Sequence, residues 1–506
     1  MMTSGTTFRH ALYECLAITC LASILICITL GPCSAYDLQN KVKEFTLQNG
    51  LKVLIVERHA SPTVSLYISH EAGAVDEKDG HTGTAHILEH MMFKGTETIG
   101  TKDFQKEKHI LRKVHDIGNA LDTELMKGES ADVRKIENLR KQLETHQQEA
   151  GKLSIPSETD RLYTEKGGGD LNAFTGQDLT SYHVSLPSNR IELWARIESD
   201  RMANPVFREF YSERNVVMEE RKQTVESNPG RKLMEQFLAT AFMVHPYRRP
   251  VLGWAPDMRF LNIDYTKKFF RTYYAPNNTT IVIVGDVSPD KTMKTIKRYF
   301  GRIPSQKIPA RRVTEEPPQN GERKVKLLSD ASPRLIIGYH KPTLPSFDDC
   351  VFDVIDTILS GGRTSRLFKA LVETGMAVGV NTANGFPGAR YPNLFVVFAE
   401  PVSPHTCEEL EEIIYKELDI LKKESVKPEE LEKAKNQLKA DILRNIATNS
   451  GLAGMLSYFE TVAGSWQYIT KFSDFLEKVT PDDIMATAKK YFEPRNRTVA
   501  ELVRKK

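Results

Sequence analysis

Two histidines four residues apart, with a glutamate between them, constrain this 506-residue chain more than any other feature. The stretch is His86-Ile87-Leu88-Glu89-His90, set between Gly83 and Gly95. On a helix that spacing puts both imidazoles on one face, one turn apart. Rings so placed can take two corners of a tetrahedral zinc site. Glu89 borders the same face, where it can hold a water without ligating a metal. The flanks suit a helix as well. Thr82 or Thr84 can cap its start, and Lys94-Gly95 suits its end.

The chain is too long for one ordinary core, so two domains are expected. Its net charge of +3 is close to balance and gives no sign of a nucleic-acid partner. The N-terminus differs in character. Arg9 and His10 precede an apolar run from Ala11 to Leu30, followed by Gly31-Pro32-Cys33-Ser34-Ala35. This pattern reads as a signal peptide over residues 1–35, cut after Ala35, and so as export. An uncleaved membrane anchor is the alternative, because the run approaches the length of a span. Cys15, Cys20, Cys27 and Cys33 fall in that segment, which leaves Cys350 and Cys407. Two cysteines make no disulfide framework. They pair, or they act as small buried hydrophobes.

The folded part is expected from residue 42. Phe45 to Val56 reads as a hairpin turning at Asn49-Gly50, and Val64 to Ser69 as an alternating strand. Residues 102–163 are dense in mixed charge with sparse apolar positions, which predicts a solvated pair of long helices turning near Lys127-Gly128-Glu129. Gly167 to Gly176 and Thr180 to Leu186 suggest a sheet edge where an extended peptide could add as a strand. Helices follow over Arg190–Arg201 and Glu213–Glu226, then a buried strand at Ile281–Val284. Four prolines between residues 303 and 323 predict a linker, dividing the chain into domains at 42–302 and 324–503. The second half repeats the order of the first, a strand at Arg334–Tyr339 before a helix at Val351–Ser360. If Ser360-Gly361-Gly362 is laid on Phe93-Lys94-Gly95, Asp353 falls on His86, Asp356 on Glu89 and Thr357 on His90. The fold class expected is α+β, two structurally related α/β domains, one with a metal site and one without.

A catalytic zinc takes three protein ligands and keeps a fourth position open. His86 and His90 supply two. From the residues alone the third is open among Glu213, Glu219, Glu220 and Asp178. Glu89 stands where a general base takes a proton from water and passes it to a leaving amine. The order His-x-x-Glu-His reverses the thermolysin-type motif and is a signature of zinc peptidases.

With its Phe93-Lys94-Gly95-Thr96 tail, the motif resembles the pitrilysin/insulinase family, which includes the mitochondrial processing peptidase and its bacterial relatives. The resemblance spans about residues 42–500. It implies one Zn2+ per chain and a zinc-dependent endopeptidase acting on peptides or unfolded segments. It assigns Glu220 as third ligand and Glu213 as support, since the family's helix carries glutamates seven apart. Asn172, Ala173 and Phe174 resemble its substrate-binding edge strand, and Ser360 to Leu367 the start of its inactive repeat. The family closes two such bilobed halves as a clamshell, and this chain resembles one half. The opposing half carries an Arg and a Tyr seven apart. Here Leu371 to Val378 is one residue short and has Val372 and Val378 at those places. The resemblance therefore implies a related partner subunit bearing the Arg/Tyr pair, or a second copy of this chain. Taken with the signal over residues 1–35, it points to export into the periplasm of a bacterium, or to the inner membrane if the signal stays uncleaved. A non-catalytic scaffold of the same fold is the alternative function.

Overall fold

The computed structural model describes residues 35–311 and 313–505. The signal segment, except for Ala35, lies outside them. A short helix, Ala35–Lys41, belongs to a unit ending at Val42, and residues 43–506 form a second unit. Among the described residues no helix is long and apolar enough to cross a membrane.

Two sheets organise the larger unit. The first uses β1 (Val42–Thr46), β2 (Lys52–Glu57), β3 (Thr63–His70), β4 (Gly169–Thr175), β5 (Thr180–Pro187) and β6 (Thr279–Gly285) in the order β1-β2-β6-β3-β5-β4. The second uses β7 (Arg323–Ser329), β8 (Arg334–Lys341), β9 (Ala377–Phe386), β10 (Asn393–Pro401) and β11 (Arg497–Arg504) in the order β7-β11-β8-β10-β9. With β1 set aside the two orders are the same. In each, the first pair is parallel and the others are antiparallel. The repeat suspected from the sequence is thus a repeat of topology.

The helices of eight or more residues are numbered along the chain. In the first half they are α1 (Thr84–Met92), α2 (Phe104–Leu125), α3 (Val133–Leu153), α4 (Ile191–Ala203), α5 (Phe210–Arg221), α6 (Pro229–Ala241), α7 (Ile263–Tyr273) and α8 (Pro289–Phe300). In the second they are α9 (Phe347–Ser360), α10 (Cys407–Lys423), α11 (Pro428–Ala447), α12 (Asn449–Val462), α13 (Tyr468–Lys478) and α14 (Pro481–Tyr491). The motif helix α1 follows β3 as α9 follows β8. The charged stretch folds as α2 and α3, joined by a turn at Gly128–Ser130. Cys350 and Cys407 are buried and unpaired.

The halves exchange helices. From the first half, α6 lays Leu233, Phe237, Leu238 and Ala241 into a core with Ile336, Leu394, Val396, Ala500 and Leu502 of the second sheet. From the second half, α12 lies over β3 and β6 of the first sheet. There Tyr67 Oη lies 3.0 Å from Ser450 Oγ, and Ser69 Oγ lies 2.5 Å from Ser457 Oγ. This corrects the expectation of a half-exposed β3. Every residue from Val64 to His70 is buried, because α12 covers the face that alternation assigned to solvent. Ser65 and Ser69 tolerate this burial by bonding to Ser185 and Ser181.

Sharing helices couples the halves energetically. Phe237 is fully buried, so Phe237→Ala is expected to cost about 3–5 kcal/mol. Hydrogen exchange should show the amides of β3 and β8 losing protection together, although the cavity lies only against the second sheet. A loss confined to the second sheet would show that the halves open independently.

Candidate metal centre

The motif helix is held from outside its own sequence. Its N-cap is Gly83 at φ +88°, a left-handed conformation that glycine adopts without strain. A side chain there would also meet Leu252 O at 2.9 Å. Neither threonine caps the helix, contrary to expectation. Thr82 Oγ1 donates to Asp257 (2.6 Å), and Thr84 Oγ1 donates to the His81 carbonyl (2.6 Å). Glu77 does the capping. Its carboxylate accepts from Gly83 N (2.9 Å) and Ala85 N (2.7 Å), satisfying two N–H groups a helix start leaves free. Glu77 itself is buried, and Arg249 donates to its carbonyl.

On α1, His86 is buried, while Glu89 and His90 are half-buried. Against it stands α5, which carries Glu213 and Glu220. His86 Nε2 lies 3.7 Å from Glu220 Oε1, and His90 Nε2 lies 3.6 Å from Glu220 Oε2. Among the described residues, these three form the group of histidine, cysteine and acidic side chains whose donor atoms could share one ion, all within 4.8 Å. A tetrahedral zinc with ligands at about 2.0–2.1 Å spaces them roughly 3.3–3.4 Å apart, so a small inward movement would seat the ion. Two imidazoles and one carboxylate are also a donor set used by catalytic zinc. The residues present fit the metal.

The surroundings orient these groups. Glu213 Oε2 lies 3.3 Å from His90 Nδ1, which leaves Nε2 facing Glu220. Lys94 pairs with Glu213 and with Glu209. Burial and the neighbouring His90 push His86 down to about 3, so its ring is neutral. For His90, burial opposes the charged form, but the Glu213 bond and the Glu220 charge outweigh it and raise the pKa. Burial raises Glu89 above the usual carboxylate range, and the bond from Thr175 draws it part of the way back.

The other residues singled out in the sequence separate clearly. Glu219 is exposed and pairs with Lys222, away from the site. Asp178 is buried elsewhere, accepting from Tyr247 Oη (2.8 Å) and Ala389 N (2.8 Å). Asn172, Ala173 and Phe174 lie on β4, the edge strand of the first sheet, and Phe174 is exposed. Thr175, on the same strand, donates to Glu89 Oε2 at 2.5 Å. Sequence reading missed that contact and the Glu77 cap. Thr175 and Glu89 are 86 positions apart, and only the strand–helix packing joins them. In the second half, Asp353 accepts from Asn384 and Asp349 pairs with Lys341. No histidine stands there.

Residues 52–118 and 154–254 match the family described as Insulinase (Peptidase family M16), and residues 261–438 match the Peptidase M16 inactive domain. The chain belongs to the insulinase-like peptidase family M16. It is 24% identical over 493 residues to the zinc protease PqqE of Helicobacter pylori, covering 95% of this chain and 97% of that one. A probable mitochondrial-processing peptidase subunit beta of Arabidopsis thaliana is 23% identical over 428 residues, covering 81% of this chain and 68% of that one. The crystal structure of a protease from Helicobacter pylori has the same fold, with a TM-score of 0.76 at 24% identity over 92% of this chain and 99% of that one.

Glu77 supports the start of α1 through two buried bonds. Glu77→Ala is expected to cost about 1–3 kcal/mol, the penalty for buried donors left without partners. A urea unfolding curve would measure it, and an unchanged midpoint would show that water replaces the cap.

Proposed function

We propose that this chain is a zinc-dependent endopeptidase that hydrolyses peptides or unfolded protein segments and works with a second subunit. The observation carrying this reading is the convergence of His86, His90 and Glu220, with Glu89 alongside but outside the donor set. A zinc ion held by those three supplies Lewis acidity toward a peptide carbonyl and lowers the pKa of water. Glu89 takes a proton from water and delivers it to the leaving nitrogen, with Thr175 fixing the carboxylate at its other oxygen. Glu213 fixes the His90 tautomer, a contact of the kind that tunes metal-binding histidines. The free edge of β4 takes the substrate as an added strand along Asn172, Ala173 and Phe174. Thr175 joins that edge directly to the proposed base.

The partner follows from what this half lacks. Val372 and Val378 stand where the resemblance expects an Arg and a Tyr, and Val378 is 68% exposed. A related subunit carrying that pair, or a second copy, would face the site. The relative named as a mitochondrial-processing subunit supports an assembly of this kind. Export to a bacterial periplasm follows from reading residues 1–35 as a signal.

The test is cleavage of a quenched peptide library by the purified chain, with zinc quantified, against Glu89→Gln. The expected result is one zinc per chain and activity that chelation removes. Glu89→Gln should keep its zinc and lose about 10²–10⁴-fold in rate, the range general acid–base catalysis contributes. A wild type without zinc, or with zinc and no cleavage by itself or with a partner, would favour the scaffold reading. Sedimentation of the active species separates a homodimer from a mixed one.

A further inference from the structure

The charged hairpin α2–α3 was expected to be solvated surface. Three of its acidic residues are instead buried: Glu107, Asp122 and Glu124. Two of these pair with arginines on, or just before, the helix that carries the proposed third ligand. Asp122 accepts from Arg214 Nη1 (2.6 Å) and Nη2 (2.9 Å), and Arg214 follows Glu213 on α5. Glu107 accepts from Arg208 Nε (2.7 Å) and Nη2 (3.0 Å), just before α5 begins. The other Arg208 donors reach the carbonyls of Lys94, Thr96 and Ile99, on the loop leaving the motif helix. One guanidinium therefore ties the hairpin root to the end of α1 and the start of α5.

The packing agrees. Tyr211 of α5 lies against Gly118 of α2, where a Cβ would come within 2.0 Å of the ring. Gln147 of α3 donates to Ser212 at 3.1 Å. Glu209, between Arg208 and α5, sits at φ +59°, a conformation that costs energy in a residue other than glycine. It persists where the surrounding contacts fix the backbone. On the site side of α5, Glu213 bonds to His90 and Lys94, while Glu220 is 37% exposed at its side chain. Helix rotation is the sensitive coordinate. A carboxylate about 5 Å from a helix axis moves roughly 0.9 Å when the helix turns by about 10°. Metal–ligand distances tolerate about 0.2 Å.

We propose that the α2–α3 hairpin is a positioning element for the metal centre. Asp122 through Arg214, and Glu107 through Arg208, set the rotation of α5 and so the place of Glu220. This rests on the reading of His86, His90 and Glu220 as a zinc site. The insulinase description passes over residues 119–153, so Asp122 and the whole of α3 lie outside what the family match covers.

The experiment measures the zinc affinity of the purified chain by competition with a chromogenic chelator. It compares wild type, Asp122→Asn, Arg214→Lys and His86→Ala. The cobalt(II) absorption of each and the unfolding of each metal-free protein are recorded alongside. Asp122→Asn should weaken zinc about 10- to 100-fold, as loss of outer contacts does at metal sites. It should also lower the intensity of the four-coordinate cobalt bands in protein that is still folded. Arg214→Lys keeps the charge and loses the two-pronged contact. It should show the same change to a smaller degree, and it carries the test if Asp122→Asn fails to fold. A drop in unfolding midpoint with zinc affinity within twofold of wild type and an unchanged cobalt spectrum would overturn the positioning role and leave the zinc site standing. Wild type binding no more zinc than His86→Ala would overturn the zinc reading, and the positioning role with it.

Discussion

A buried guanidinium is tolerated only when its donors are used, and Arg208 uses all of its groups at once. Its bonds run to Glu107 on α2 and to three carbonyls on the loop after α1, while its own backbone leads into α5. Removing one partner of such a pair costs about 3–5 kcal/mol, because the remaining charge stays buried. The candidate centre lies on the helices this arginine joins. His90 and Glu220 are 130 positions apart, and local sequence cannot bring them together. The approach of α5 to α1 does so, and buried charge at Arg208 and Arg214 fixes that approach.

The parts of this architecture that were legible in the sequence are those whose physics is local. Two histidines at i and i+4 declare a helical face, so His86, Glu89 and His90 could be placed together directly. Glutamates seven apart, read through the family resemblance, separated Glu220 from Glu219; in the structure Glu219 pairs with Lys222, while Glu220 lies beside His86 and His90. The hairpin was legible as helices from its length and charge. Its burial was not, since Glu107 and Asp122 look like any solvated acid until arginines about 100 positions away are packed on them. The threonines at the start of α1 looked like caps, and a glutamate six residues before Gly83 took the role. Alternation along β3 implied a wet face, which holds only while no other element covers it. The covering helix α12 comes from nearly 400 positions away, beyond the reach of any periodicity argument.

The second half separates what the fold needs from what the chemistry needs. It repeats strand order and direction without a histidine in the helix matching α1. What α9 retains is its apolar side, with Cys350, Val351, Val354, Ile355 and Ile358 buried in the core. At the place of His86 stands Asp353, bonded to Asn384, and nearby Asp349 pairs with Lys341. Asp353 and Asp349 there bond to neighbouring side chains, and no histidine of α9 accompanies them. Sheet order and the apolar helix face are thus sufficient for this architecture, and the metal ligands are an addition to it.

Both sheets end on an exposed edge, β4 in the first and β9 in the second. An unpaired edge invites other strands, and proteins usually blunt it. Here β4 carries an irregularity between Gly169 and Asn172 that limits pairing at one end. The remaining stretch, Asn172 to Thr175, pairs in regular register with β5 and, among the described residues, with no further strand. Its last residue holds Glu89. The second half makes a matching contact at the corresponding edge, where Asn384 of β9 donates to Asp353 of α9 at 2.8 Å. A bond from edge strand to helix therefore belongs to the architecture, and what sets the first half apart is its setting: Glu89 lies on the helix that brings His86 and His90 to Glu220, whereas α9 carries no histidine.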